Sequence, residues 1–185
     1  EFDLPVNKTA LVVGGGLAGM TCALSIAEQG HEVYLVEKEK ELGGIARRID
    51  STLERQDVQA QLGALTKKVN QHPLVKVFTD SVITEATGYV GNFVTRLKSE
   101  RGVTEIKHGA TVIAIGADVY EPTEYLYGQS DKVLTHLELE RKITAREDSL
   151  VNARSLVMIQ SEGCRKKDRN YSSRISCSET IKNAL

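Results

Sequence analysis

Apolar residues first gather in the short run Thr9-Ala-Leu-Val-Val13, which stops at three glycines. Such a run, bounded by turn residues, predicts a strand buried on both faces, as a parallel sheet requires. From Leu17 to Gln29 the spacing changes. Met20, Ala23, Leu24 and Ala27 recur at helical intervals, and Gly30 supplies the stop. His31–Glu37, with Val33, Leu35 and Val36 apolar, predicts the next strand. Strand, helix and strand within about thirty residues make one β-α-β unit with a parallel crossover.

After Gly43-Gly44 the chain turns polar. Asp57 to Asn70 then predicts an amphipathic helix with Val58, Leu62, Leu65 and Val69 on one face. Val75–Phe78 follows as a short strand. Ser81–Thr87, Phe93–Ser99 and Val103–His108 predict a three-stranded β-meander, with turns at Gly88–Asn92 and Glu100–Gly102. The meander leads into Ala110–Ile115, a fully apolar strand ending at Gly116. Beyond it, Glu121–Ser130 reads as loop, Leu134–Ile143 as a short helix and Ser155–Gln160 as a further buried strand. Ser161–Arg174 is polar enough for an exposed loop, and Ser178–Leu185 reads as helix. The fold class is therefore α/β: a Rossmann-like FAD/NAD(P)-binding fold with a parallel sheet and an inserted three-stranded meander. The expected division is a binding domain over residues 1–150 and the start of a second, truncated domain over 151–185.

Composition removes several classes of function. The chain has 24 basic and 25 acidic residues, a net charge of −1, which leaves no electrostatic footprint for nucleic acid or an anionic membrane. With 41% hydrophobic and 26% charged residues it is a globular composition, and no apolar run has the length of a membrane span. Cys22, Cys164 and Cys177 are too few and too scattered for a disulfide framework, so a reducing, cytoplasmic setting is expected. The opening Glu1-Phe2 has the look of a cut end or a cloning scar.

The glycine turn Gly14-x-Gly16-x-x-Gly19 carries the chemistry. Gly14 permits a sharp exit from the strand, Gly16 lets backbone approach a pyrophosphate, and Gly19 lets the helix sit close to the sheet. The helix start presents N–H groups and the positive end of its dipole to phosphate. By itself the motif is weak. Placed between a buried strand and a helix, with an acidic residue ending the next strand, it predicts a dinucleotide site. Glu37 is that residue, about twenty positions on, where a carboxylate accepts hydrogen bonds from ribose hydroxyls and disfavours a 2′-phosphate. Cys22 reads as a small apolar side chain of the first helix. His31, His72, His108 and His136 lack ligand spacing and read as structural or surface residues, and Arg47 and Arg48 as solvated. No catalytic residue can be named.

Two features favour FAD over NAD. Gly43-Gly44 resembles the glycines that flavoproteins of the glutathione-reductase type place near the flavin end of the pyrophosphate. Thr111-Val-Ile-Ala-Ile-Gly116-Ala117-Asp118 resembles their second FAD motif, with Ile115 where Thr is usual. The meander between them also fits, because a plain NAD domain would continue with alternating helices and strands. The candidate cofactor contacts are Gly14, Gly15, Gly16, Leu17, Ala18, Gly19, Glu37, Lys38, Gly43, Gly44, Val82, Ala114 and Gly116.

Gly88-Tyr-Val-Gly-Asn-Phe93, Gly43-Gly44 before Ala46-Arg47, and the closing Arg169-Asn-Tyr-Ser-Ser-Arg-Ile-Ser-Cys-Ser-Glu179 carry a more specific likeness. Over nearly the whole chain they resemble the FAD-binding iron–sulfur subunit of heterodisulfide reductase. The resemblance implies a thioredoxin-reductase-like flavin domain. It also implies electron transfer between FAD and iron–sulfur clusters, and partner subunits in a larger cytoplasmic complex. One departure matters. Ser161, Ser172 and Ser176 stand where that family has cluster cysteines, and of these positions only Cys177 keeps a thiol. A hydroxyl is too weakly acidic to replace a thiolate ligand, so no family cluster is expected on this chain. No second GxGxxG and no Gly-Asp return segment precede Leu185, so the expected piece holds the ADP moiety without the wall of the isoalloxazine. Two other readings stay open: part of an NAD-dependent dehydrogenase, or a non-catalytic nucleotide-binding scaffold module.

Overall fold

The computed structural model describes residues 5–164 and 171–185. Glu1-Phe2, and Arg169 and Asn170 of the closing motif, lie outside the described residues. Contacts divide the chain into two compact units. One comprises the chain up to Arg47 with Ala60–Ala117, the other Arg48–Gln59 with Asp118–Leu185.

In the first unit β1 (Ala10–Val13), β2 (Val33–Val36), β3 (Val75–Phe78) and β7 (Ala110–Ile113) form a parallel sheet in the order β3-β2-β1-β7. Ala10 pairs with Val33 on one side and Ala110 on the other, so the strand ends align. Between β1 and β2 runs α1 (Leu17–Glu28), and before β3 comes α2 (Val58–Gln71). Both are close to the predicted helices. A 3-10 turn over Gly44–Arg48 was not foreseen.

Strand alternation sorts the core into two layers. Leu11 and Val36 join Leu97 and Ile106 in a buried cluster, with Val13, Tyr34 and Phe78 packed against it. Leu97 and Ile106 belong to the antiparallel sheet of β4 (Ser81–Tyr89), β5 (Asn92–Ser99) and β6 (Gly102–His108), so the meander covers one face of the parallel sheet. The alternate residues Val12, Val33 and Leu35 point to the opposite face, the side of α1, whose Met20, Ala23, Leu24 and Ala27 are buried. A gap in register between Ile83 and Glu85 bends β4.

Two expectations are corrected. The strand expected over Ala110–Ile115 ends at Ile113. It lies at the sheet edge with β1 as its paired neighbour, which leaves Ile113 65% exposed despite its apolar sequence. Ser155–Gln160 is no strand, and Leu156, Val157 and Ile159 are exposed. All seven strands among the described residues lie in the first unit, so this run has no ladder to join in its own. Apolar content alone cannot supply one.

The second unit is helical: α3 (His136–Thr144), the short α4 (Asp148–Val151) and α5 (Ser176–Ala184). Thr135 and Glu138 form a reciprocal capping box at the start of α3. Lys182 of α5, 6% exposed, sits 2.8 Å from Glu140 Oε2 and 2.8 Å from Glu179 Oε1. Glu140 Oε1 accepts from the backbone N–H of Asp50 (2.9 Å) and Ser51 (3.3 Å), tying the 48–59 segment to α3. Burial alone would raise the Glu140 carboxyl. The Lys182 ammonium and the two amides outweigh it and hold that carboxyl below its ordinary value.

His108 is the buried titratable group of the meander. It stacks on Phe93 with centroids 5.5 Å apart. Its Nδ1 lies 3.1 Å from the Ala110 carbonyl, an acceptor only, so Nδ1 carries the proton and Nε2 accepts from the Thr95 hydroxyl at 2.8 Å. Burial lowers its proton affinity, and the Ala110 bond offsets only part of that. The folded form therefore binds the proton less well than the unfolded chain. Stability is expected to hold above about pH 6.5 and to fall as the pH drops from there toward the lowered folded value. Urea melts between pH 8 and 5 check this. A His108→Leu variant with the same pH slope as the parent would show that the imidazole is not its source.

Candidate functional site

At the carboxyl end of β1 the chain must reverse into α1 within three residues, and glycine makes that possible. Gly14 has φ of 107°, in the left-handed region. A Cβ there would overlap the Ala114 carbonyl, and a Cβ on Gly19 would overlap the Gly14 carbonyl. Gly16, at φ −74°, behaves differently: a Cβ there would meet no atom within 4 Å. Gly14 and Gly19 serve packing, while Gly16 borders open space. Gly16 is also the N-cap of α1, with no side-chain cap and no acidic residue in the first turn, while Leu17 and Ala18 are exposed. The positive end of the helix is thus presented bare.

Glu37 lies at the end of β2, where its N–H donates to the Phe78 carbonyl at 2.8 Å. It is 6% exposed. Its Oε2 accepts from the Gly15 N–H at 2.6 Å and its Oε1 from the Glu39 N–H at 2.9 Å. The sequence pattern gives the carboxylate its place at the strand end but not its bond to Gly15. Lys38 follows it and is exposed. Ser81 donates its N–H to the Glu37 carbonyl at 3.0 Å, which brings the adjoining Val82, half exposed, to the same strand end.

The second glycine pair returns to the first. Gly43 N–H donates to the Gly15 carbonyl at 2.8 Å, and Gly16 and Gly43 form an isolated parallel bridge. Both Gly43 (φ 118°) and Gly44 (φ 53°) are left-handed, and a Cβ on Gly44 would lie 3.3 Å from Gly16 Cα. Arg47 is engaged by Glu41 at 2.9 Å. At the end of β7, Ala114 donates its N–H to the Val13 carbonyl at 2.7 Å and borders Gly14 and Gly19, whereas Gly116 (φ 69°) is exposed and a Cβ there would point into open space. The fold therefore gathers Gly14 to Gly19, Glu37, Gly43, Gly44, Val82 and Ala114 at the carboxyl ends of the parallel strands, where open α/β sheets place ligands. Gly116 lies two residues farther along.

Elsewhere, in the second unit, Ser161 and Ser176 bring their hydroxyls within 3.4 Å. Cys164 donates its N–H to the Ser161 carbonyl, and Cys177 follows Ser176 at the exposed start of α5. Cys22 is half-buried in α1 of the first unit.

A family model described as an FAD binding domain matches residues 9–162. The chain is similar to an iron-sulfur subunit of CoB–CoM heterodisulfide reductase from Methanopyrus kandleri, 26% identical over 272 residues, covering 98% of this chain and 42% of the relative. It is also similar to a second such subunit from the same organism, 36% identical over 129 residues, 68% of this chain and 19% of that one. The chain thus spans about two fifths of the length of the first relative. Among solved structures, L-proline dehydrogenase from P. horikoshii superposes with a TM-score of 0.52 at 24% identity, over 60% of this chain and 22% of that one, a likeness of fold.

The glycines should separate by stability. Gly14→Ala and Gly19→Ala are expected to cost about 1–3 kcal/mol or more, the usual range for forced overpacking. Gly16→Ala should stay within about 0.5 kcal/mol of the parent, as for a surface change. Urea denaturation of the three variants measures this, and a Gly16→Ala loss as large as that of Gly19→Ala would mean the space beside Gly16 is not open.

Proposed function

We propose, for a chain that belongs to the FAD-binding domain family and is related to the iron–sulfur subunits of heterodisulfide reductases, that the glycine turn seats the diphosphate of FAD and that the bound flavin serves electron transfer as part of an oxidoreductase. The observation that carries the reading is Gly16. It is the one glycine of the motif whose missing side chain leaves room that no protein atom fills, and it stands at an uncapped helix start. A diphosphate has the size and charge for that place.

When bound, the isoalloxazine supplies the redox chemistry. The chain's own residues bind and orient. Glu37 accepts a ribose hydroxyl, since each carboxylate oxygen keeps a second acceptor position beside its backbone amide. Gly43 and Gly44, bonded to the turn, back the diphosphate with main chain. Leu17 and Ala18 carry the first amides of the helix, Lys38 and Val82 border the adenosine side, and Ala114 and Gly116 close the end of β7. No helix among the described residues is long and apolar enough to cross a membrane. The natural setting is a cytoplasmic complex with the other subunits of a heterodisulfide-reductase-like assembly.

The relatives' names include iron–sulfur, but the donor set here does not fit a cluster. The chain has three cysteines, and a cluster takes about four thiolates. Where Ser161 and Ser176 meet, two neutral hydroxyls share a hydrogen bond. Electron transfer in this reading ends, within this chain, at the flavin.

Parallel titrations with FAD and NADH test the cofactor. FAD is expected to bind preferentially, and Gly16→Val to weaken it about tenfold or more, the equivalent of one lost contact of 1.4 kcal/mol. Preference for NADH would overturn the assignment. Iron and acid-labile sulfide, measured after anaerobic incubation with ferrous iron and sulfide, should stay at background. Uptake of stoichiometric iron and sulfide would contradict the donor-set argument.

A further inference from the structure

We infer that Glu37 is a positioning residue for the glycine turn, holding it in its receiving shape before any nucleotide arrives, in addition to meeting the ribose. This rests on the FAD reading above and adds a second task to the same carboxylate.

Gly15 is clamped through both of its main-chain polar groups. Its N–H donates to Glu37 Oε2 at 2.6 Å, and its carbonyl accepts from the Gly43 N–H at 2.8 Å. Gly15 is itself buried, and a Cβ there would lie 2.5 Å from Leu42 Cδ2 and 3.0 Å from Glu37 Oε2, so the carboxylate has closed down on bare main chain. A bond from an amide to an ionised acceptor is among the stronger kinds, and this one links residues 22 apart in sequence at 6% exposure of the acid. The second oxygen is fixed by the Glu39 N–H, which prevents the side chain from swinging away. The two bonds fix the peptides on either side of Gly15, those it shares with Gly14 and Gly16, so their orientation sets the direction in which the chain enters α1. Without the clamp, a run of three glycines has the widest backbone freedom available to a chain, and that freedom must be lost on binding a diphosphate. Glu37 therefore contributes to affinity even for a ligand it does not touch.

That last consequence is the test. The probes are ADP and 2′,3′-dideoxy-ADP, which lacks the hydroxyls a ribose ligand would recognise, with the parent chain, Glu37→Ala and Glu37→Gln. If Glu37 only met the ribose, its removal would matter for ADP and not for the dideoxy nucleotide. If it positions the turn, Glu37→Ala should weaken both, the dideoxy nucleotide by about five- to tenfold, which is the order of one net hydrogen bond. Glu37→Gln keeps a carbonyl oxygen for the Gly15 N–H and should restore most of the dideoxy affinity. Amide exchange followed by NMR on nucleotide-free protein gives the second readout. Gly15 should be protected in the parent and in Glu37→Gln and exchange faster in Glu37→Ala, while Val12 and Leu35 stay protected in all three. Equal dideoxy-ADP affinity in parent and Glu37→Ala, or an unprotected Gly15 amide in the parent, overturns the inference and leaves the FAD reading standing. A parent chain that binds neither nucleotide overturns both. Should Glu37→Ala not fold, the protection and affinity of Glu37→Gln against the parent still decide, because a Gln variant with a freely exchanging Gly15 and parental dideoxy-ADP affinity is incompatible with the clamp.

Discussion

The approach of Gly19 to the Gly14 carbonyl is the constraint on which the site depends. It lets α1 begin almost on top of the strand it follows, and it places the helix N-terminus beside the ends of β1, β2 and β7 together. Any side chain at Gly19 would push the helix outward and carry the helix start away from Glu37 and from Gly43. The parallel register matters for the same reason. Because Ala10, Val33 and Ala110 lie level, the strands also end level, and the residues just beyond them share one rim. A single close contact thus converts three distant sequence segments into one local arrangement of main-chain groups.

Much of this was legible in the sequence because the chain as far as His108 obeys local rules. The β-α-β unit, α2, β3 and the meander each follow from apolar spacing and turn glycines, and the structure gives them nearly the expected bounds. The candidate residues Gly14 to Gly19, Glu37, Gly43, Gly44 and Ala114 come together because motif spacing encodes a strand–turn–helix path. Tertiary pairing was not legible. The Glu37–Gly15 bond spans 22 residues, and the burial of Lys182 with Glu140 spans 42, so no local periodicity reports either. Ser155–Gln160 failed for a related reason. Six apolar-leaning residues are compatible with a strand, but strand formation needs a neighbour, and its unit offers helices.

The two units carry different physics. In the first, burial is aliphatic and the polar exceptions are satisfied by neutral groups: Glu37 by two backbone amides, His108 by a backbone carbonyl and the Thr95 hydroxyl. In the second, the most buried polar side chains are ions held by one another, with Lys182 between two carboxylates. An ion pair of that kind offsets a desolvation cost rather than adding much net stability, and its geometry is directional. It joins α5 to α3 and, through Glu140, to Asp50 and Ser51. α5 carries Ser176 and Cys177, so the helix that opens on the segment resembling a cluster-binding region is tied to α3 through the Lys182–Glu140 pair, with Glu179 of α5 itself as the second carboxylate on Lys182.

The distinction between FAD and NAD comes down to what surrounds the turn rather than to the turn itself. In the proposed reading, any dinucleotide would present the same diphosphate to Gly16. The added contribution here is the Gly43–Gly44 main chain, bonded to Gly15 and backed against Gly16, which extends the polar cradle to a second loop. A plain β-α-β nucleotide unit has no reason to return a loop to its own turn after β2, and the sheet instead acquires the meander on the face opposite α1. With Leu11 and Val36 buried under Leu97 and Ile106, the meander occupies the face where a crossover helix of an alternating fold would pack. That substitution of sheet for helix is a property of the whole first unit, and it separates this chain from a dehydrogenase domain even where their glycine turns agree.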